Sequence, residues 1–492
     1  MSDDRHIRST LNEAIRLLHG RRPANALRLL EPVMPKLRKE PDALRLYAIV
    51  LAEAGFNSKA ISAIDKALKL RPMDPVLSVT RGNIFSQAGK LSEAVDAFRR
   101  CLAINPKHTE ALAGLVRGLR QSQQHTEAVD AFLAAQAAGA PDDAFFASAA
   151  GEASLVRGDD RLEPDAAIDL QQRVLRSPDV PETLAADIAF QLGKLLERQS
   201  RHEEAFATFE LANAKTSATF DHAGHRDATD RIIDSWNAET VAPIDGMPTD
   251  HLIFVVGMPR SGSTLIEQVL LAHDGVSSAG EPLELPAAAR VMGAAKPPFA
   301  YVESPFDPVQ ASAAARRYLD AVRRRARSPI VIDKLLVNAF FVPFAATLFP
   351  NARFVGCLRD PRDVGLSCFQ QSFGSTNPAM FDLEHIAHFQ ADTRRVMRHW
   401  QRVMPDRFTM IEYESVVADL EGGARAIAAA AGLEFDERSL RYWETANPIS
   451  TASYDQASRP IYTTSVGRWR VYERQLAPLI ETLKARGVSL PV

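Results

Sequence analysis

Residues 257 to 265 read GMPRSGSTL and directly follow the apolar run Leu252, Ile253, Phe254, Val255, Val256. A strand, a glycine turn, paired hydroxyls and an apolar helix start, in that order, spell a loop that cradles phosphate. Gly257 and Gly262 keep the spacing of the G-x-x-x-x-G-K-[ST] pattern and Thr264 holds its hydroxyl position, but Ser263 stands where the lysine belongs. Backbone N–H groups and a helix N-terminus favour an anion at such a turn. Ser261, Ser263 and Thr264 add hydroxyl donors, and Arg260 adds a forked cation. In a kinase or ATPase the missing lysine neutralises charge growing on the transferred phosphate. A loop without it suits a phosphate that stays behind.

A second candidate anion site lies about a hundred residues on, in FPNARFVGCLRDPRDVGLSCF. Arg359 ends an apolar strand there, and Ser367 falls two turns into the following helix, so the two could converge on another phosphate. The same residues permit a second reading, in which Arg359 and Arg362 pair with Asp360 and Asp363 as a structural ion network. The residues alone leave both open.

The elements that must position these groups have an α/β texture. From His251 onward short apolar or β-branched runs (LIFVV, PIVIDK, ARFVGCLRD, FTMIEYE) alternate with helical stretches such as STLIEQVLLA and ASAAARRYLDAVRRRA. That alternation predicts a parallel sheet covered by helices, with ligands at the carboxyl ends of its strands. The first half is different. Gly55 and Gly89 are 34 residues apart, Ala60, Ala94 and Ala128 keep the same step, and so do Ile64, Phe98 and Phe132, and Pro72 and Pro106. Fixed periods of this length mean stacked repeats. Within each unit the order of glycine, alanine, bulky apolar and small residue places small side chains at helix crossings, and proline ends the second helix. About six repeats are expected over residues 7 to 217, with the segment DDRLEP as an insertion in the fifth. The pattern resembles the tetratricopeptide repeat, which implies a concave face for protein partners. The expected domains are 1-217 (repeats), 218-249 (a helical linker) and 250-492 (the α/β domain).

Composition narrows the classes. Of 492 residues 46% are hydrophobic and 24% charged, which is ordinary for a globular protein, and the net charge of −3 gives no argument for nucleic acid or an anionic membrane. No apolar run approaches a membrane span, and the N-terminus MSDDRHIRST has no signal-peptide character. Cys101, Cys357 and Cys368 form neither a disulfide framework nor a metal-ligand spacing. The expectation is a cytoplasmic protein that needs no metal.

Taken together, the two anion motifs resemble those of the sulfotransferase family, nearest the branch of tyrosylprotein sulfotransferases and bacterial tetratricopeptide-sulfotransferase fusions. The likeness covers roughly residues 250 to 475. It implies an α solenoid followed by a P-loop-like parallel-sheet domain, and as donor 3'-phosphoadenosine 5'-phosphosulfate (PAPS). In that family the loop matching Pro259, Arg260, Ser261, Gly262, Ser263 and Thr264 binds the 5'-phosphosulfate, and the pair matching Arg359 and Ser367 binds the 3'-phosphate. Sulfuryl transfer needs a base for the acceptor hydroxyl and cations for charge on the bridging oxygen. Glu281, in SSAGEPLEL, is the expected base, with Glu284 as runner-up. Lys334, at the end of PIVIDK, is expected to stabilise the leaving phosphate. The segment YTTSVGRWR, with Tyr462, Ser465, Gly467, Arg468 and Trp469, resembles the family's clamp over the nucleotide; an amphipathic helix start with a buried Trp is the plain alternative. One departure is Gln371, which replaces an arginine of the tyrosylprotein enzymes and makes a peptide acceptor less secure. The expected acceptor is a peptide, a protein or another hydroxyl compound recruited with help from the repeats. Two rivals remain: a P-loop kinase in which Thr264 and Asp333 share Mg²⁺, and a non-catalytic repeat scaffold.

Overall fold

A computed structural model describes residues 2–20, 22–216, 219–241, 250–291, 307–326, 328–373, 377–444, 460–461 and 464–491. The chain divides into two compact units, Met1–Thr216 and Ser217–Val492.

The first unit is a run of helix pairs: Ser2–His19 with Pro23–Leu30, Pro41–Glu53 with Asn57–Leu70, Pro75–Gln87 with Leu91–Ile104, Thr109–Gln121 with His125–Ala137, Ala144–Ser154 with Pro164–Leu175, and Glu182–Arg198 with His202–Ala214. Each pair is amphipathic and cannot bury its apolar side alone, so neighbours stack. The insertion DDRLEP falls in the turn between Ser154 and Pro164 and enters the next helix only at its last residue. One detail of the repeat reading needs correcting. Gly55 and Gly89 do not sit at helix crossings; they end the first helix of their pairs with φ of +83° and +70°, where a left-handed residue closes the turn, and open space surrounds them. Other glycines serve the crossings. The Phe98 ring lies so close to Gly82 and Gly114 that a Cβ at either would come within 2.4 Å of it.

The second unit is built on five parallel strands: β1 (His251–Gly257), β2 (Val276–Ser278), β3 (Ile330–Asp333), β4 (Arg353–Leu358) and β5 (Phe408–Glu412), in the order β2-β3-β1-β4-β5. β1 is an unbroken apolar run because both of its faces are covered. On one face Leu252, Phe254, Val256, Val331, Phe354 and Phe408 pack against the helices Pro308–Arg325, Val342–Leu348 and Leu383–Val403. On the other, Ile253, Val255, Ile332, Val355 and Cys357 pack against Ser263–Leu271 and Leu420–Ala431.

The segment read as a helical linker contains the helix His222–Ser235, and this helix lies within the second unit. Ala228, Ile232 and Trp236 join the core of the first sheet face, and the buried His225 meets Asp392 of the helix Leu383–Val403 at 2.9 Å. Residues 242–249 lie outside the described residues. Among the described residues no helix is long and apolar enough to cross a membrane.

Candidate functional site

The loop after β1 owes its shape to three unusual backbone positions. Gly257 has φ +143°, and a Cβ there would come 2.9 Å from the Cys357 carbonyl of β4. Gly262 has φ +96°, and a Cβ would collide with the Tyr413 ring at 2.4 Å. Arg260, with φ +66°, takes a left-handed conformation that a residue bearing a Cβ rarely adopts, at a cost of about 1–3 kcal/mol. Ser261 is buried and its hydroxyl donates to the Met258 carbonyl at 2.7 Å. Ser263 and Thr264, both buried, begin the helix Ser263–Leu271, while Pro259 is half-buried and its carbonyl faces the Cys368 thiol at 3.5 Å.

The left-handed turn brings the two anion motifs together. The Arg260 guanidinium donates through Nε to the Ser367 hydroxyl at 2.9 Å, 107 residues away in sequence. Arg359 donates to the Arg260 carbonyl at 2.9 Å and to the Ser465 carbonyl at 2.5 Å, and lies over the Tyr413 ring at 4.9 Å. The Tyr413 and Ser465 hydroxyls pair at 2.7 Å. Arg359 is 9% exposed, yet its Nε has no hydrogen-bond partner. A buried charged donor left in this way is costly unless a ligand takes it.

The ion-network reading of this region divides. Arg362 does pair with Asp360, through Nε at 3.0 Å and Nη2 at 2.6 Å, and stacks on Trp469 at 3.7 Å. Arg359 instead commits its fork to the two main-chain carbonyls. Asp363, a turn before Ser367 on the helix Pro361–Phe369, accepts the Gly467 N–H at 2.6 Å and the Trp469 N–H at 2.9 Å. Burial raises its pKa although both of those bonds oppose the shift. The clamp segment is thus fastened to the helix that carries Ser367. Arg468 reaches Gln370 at 3.3 Å, and Tyr462 lies outside the described residues.

A second cluster borders the loop from the β3 side. Lys334 is 2% exposed; its ammonium donates to Glu281 at 2.8 Å and stands 3.7 Å from Glu267 on the loop helix. Burial disfavours the ammonium, but Glu267 and Glu281 outweigh that and hold its pKa above the ordinary lysine range. Burial likewise raises Glu267, with Lys334 and Ser278 opposing. The Glu281 side chain is half-exposed. Glu284 faces elsewhere: it takes Arg325 at 3.1 Å and lies in the field of Asp333 and Tyr318.

Asp333 is turned from the loop. Strand side chains alternate, so Lys334 points to the face of Ile332 and the loop helix, while Asp333 shares the opposite face with Val331. There its carboxylate accepts from the Tyr318 hydroxyl at 2.6 Å, the Leu335 N–H at 3.0 Å and the Asn338 amide at 3.0 Å. Burial carries its pKa up to about 7. A metal shared between Thr264 and Asp333 does not fit this arrangement.

Sequence reasoning missed Glu267, Asp363 and Tyr413. For Glu267 a signal existed, since it lies four residues after Ser263 and hence on the same helix face, inside a stretch that is apolar but for Gln268. The sequence offers Asp363 only as an ion-pair partner, and Tyr413 carries no signal of its own.

Residues 253–437 match the sulfotransferase family and residues 79–144 the tetratricopeptide repeat. An uncharacterized protein of Aquifex aeolicus (strain VF5) is 34% identical over 347 residues, covering 67% of this chain and 45% of its own length. The protein-tyrosine sulfotransferase of Drosophila melanogaster is 25% identical over 242 residues, covering 44% of this chain and 46% of its own length. The chain therefore spans less than half the length of these two relatives. Among solved structures, the sulfotransferase domain of the Synechococcus PCC 7002 olefin synthase aligns at 19% identity and a TM-score of 0.37, covering 50% of this chain and 98% of that one.

Proposed function

We propose that this chain, which matches the sulfotransferase family over residues 253–437 and the tetratricopeptide repeat over residues 79–144, transfers a sulfuryl group from PAPS to an acceptor hydroxyl. The observation that carries the reading is the junction of Arg260, Ser367 and Arg359 at the carboxyl ends of β1 and β4, beside a buried Lys334 bonded to Glu281 at 2.8 Å. The donor fits this set on two counts. Arg359 keeps a buried, unpartnered Nε, and the glycine at 262 lets the loop pass close against the Tyr413 ring. The loop and its hydroxyls would hold the 5'-phosphosulfate; Arg359 and Ser367 would hold the 3'-phosphate; the Ser465–Trp469 segment would close over the nucleotide.

In the transfer the acceptor oxygen attacks sulfur in line as the sulfur–oxygen bond to the 5'-phosphate breaks. The electron pair of that bond goes to the phosphate oxygen, where the Lys334 ammonium offsets the new charge. The acceptor proton goes to Glu281, a step that contributes about 10²–10⁴-fold. The orientation of Glu284 toward Arg325 favours Glu281 as the base. A peptide or protein acceptor delivered by the repeats is the reading we favour, supported by the likeness to the Drosophila protein-tyrosine sulfotransferase.

Isothermal titration with adenosine 3',5'-bisphosphate tests the donor. Micromolar binding without added metal is expected; a preference for Mg-ATP would overturn the assignment. Transfer of labelled sulfate to a screen of tyrosine peptides, glycans and phenols then tests the acceptor.

A further inference from the structure

The position of Glu267 has a role that the transfer scheme leaves unused. It lies one turn into the loop helix, 5% exposed, beside the buried Gln268 and otherwise among apolar residues. A carboxylate is seldom placed there without a partner. Its Oε1 accepts the Ser278 hydroxyl at 2.6 Å, and the Gly280 N–H donates to that same hydroxyl at 2.9 Å. Its Oε2 faces Lys334 Nζ at 3.7 Å, while Glu281 Oε1 takes Lys334 at 2.8 Å. The ammonium thus stands between two carboxylates of different exposure, Glu267 buried and Glu281 half open.

We propose that Glu267 is a positioning residue that keeps Lys334 charged and in place when Glu281 turns to the acceptor proton. This rests on the sulfotransferase reading of the site. A base that remains bonded to an ammonium is a poor proton acceptor, so Glu281 must loosen its hold on Lys334 to act. Without Glu267, a lysine only 2% exposed would then stand buried with no counter-charge and would tend to lose its proton. Glu267 prevents this, because it is fixed by Ser278 and reaches no solvent through which to move away. It forms and breaks no bond. The leaving phosphate meets a cation that has not drifted, and Glu281 is released without neutralising its neighbour. Burial of Glu267 serves the same end, since the Coulomb attraction between the two groups is little screened there.

The test uses the full chain and reads Lys334 directly. Competitive acetylation followed by mass spectrometry gives the titration midpoint of Lys334 as a function of pH. In Glu267→Gln made on the Glu281→Gln background, which takes away the nearer carboxylate and preserves shape and a hydrogen bond to Ser278, the midpoint should fall by at least one pH unit relative to Glu281→Gln alone. In Ser278→Ala, which only loosens Glu267, it should fall by less. The alkaline limb of labelled-sulfate transfer should move with it, so that at pH 9 Glu267→Gln loses tenfold or more relative to its own rate at pH 7. Affinity for adenosine 3',5'-bisphosphate should stay within threefold. An unchanged Lys334 midpoint when Glu267→Gln is added to a folded Glu281→Gln protein overturns the proposal. Failure of the unmodified protein to bind the bisphosphate overturns the parent reading instead, and the two results are told apart because the acetylation needs no donor.

Discussion

Arg359→Lys is the sharpest probe of the site, because it retains the charge and removes the fork. Arg359 bonds the Arg260 carbonyl at 2.9 Å and the Ser465 carbonyl at 2.5 Å, thereby joining the phosphate loop to the clamp, and still has Nε unpartnered. Lysine offers one compact donor group on a flexible stem, so at most one of the two carbonyls keeps a well-placed bond. Lysine also removes the Nε donor left for the ligand, and a hydrogen bond from a charged group is worth about 1.5–3 kcal/mol, so about 2 kcal/mol is expected, or roughly 30-fold in affinity. Titration with adenosine 3',5'-bisphosphate measures this, with thermal unfolding run alongside to confirm that the fold persists. The salt dependence should match that of the unmodified protein because the charge is conserved, whereas Arg359→Ala should lose affinity further and become less salt-sensitive. If Arg359→Lys binds within twofold of the unmodified protein, the guanidinium acts only as a point charge and the joining role is wrong.

Other outcomes follow from the same geometry. Glu281→Gln should lower labelled-sulfate turnover by about 10²–10⁴-fold with bisphosphate affinity nearly unchanged, and normal turnover would remove Glu281 as the base. Asp333 has its pKa carried by burial from 3.8 to about 7, so it stabilises the fold when protonated. That contribution is complete below pH 4 and is lost as pH rises toward 7, a span equivalent to about 4 kcal/mol. Chemical denaturation of Asp333→Asn from pH 4 to 7 should therefore show a flatter pH dependence, and an equal slope would contradict the assignment. In the repeats, Gly82→Ala sets a Cβ 2.4 Å from the Phe98 ring and should cost about 1–3 kcal/mol, relieved in part by Phe98→Leu in thermal unfolding.

The architecture was legible because its causes are local. A 34-residue step survives in sequence since every repeat solves the same packing problem, and the doubly buried β1 reads as an apolar run. The loop motif likewise records a backbone demand at Gly257 and Gly262. What could not be read was where long side chains end. Nothing in the sequence directs Arg260 to Ser367 rather than to solvent, since that bond follows from a left-handed φ at a residue with a Cβ. Asp363 and Arg362 look like a charge pair in sequence, yet Asp363 caps main-chain N–H groups over a hundred residues away while Arg362 takes Asp360. Gly55 and Gly89 kept the period but not the role inferred for them, because a turn and a helix crossing ask for the same residue.

The strap from Ser465 to Trp469 is gripped by Arg359 and by Asp363, so residues made more than a hundred positions earlier wait for it. On a translating ribosome the phosphate loop emerges long before the segment that completes its surroundings. Until Trp469 has emerged, the helix that carries Ser367 lacks the strap that Asp363 holds. Arg359 and Asp363 pass that interval without the main-chain partners that the strap supplies in the finished fold.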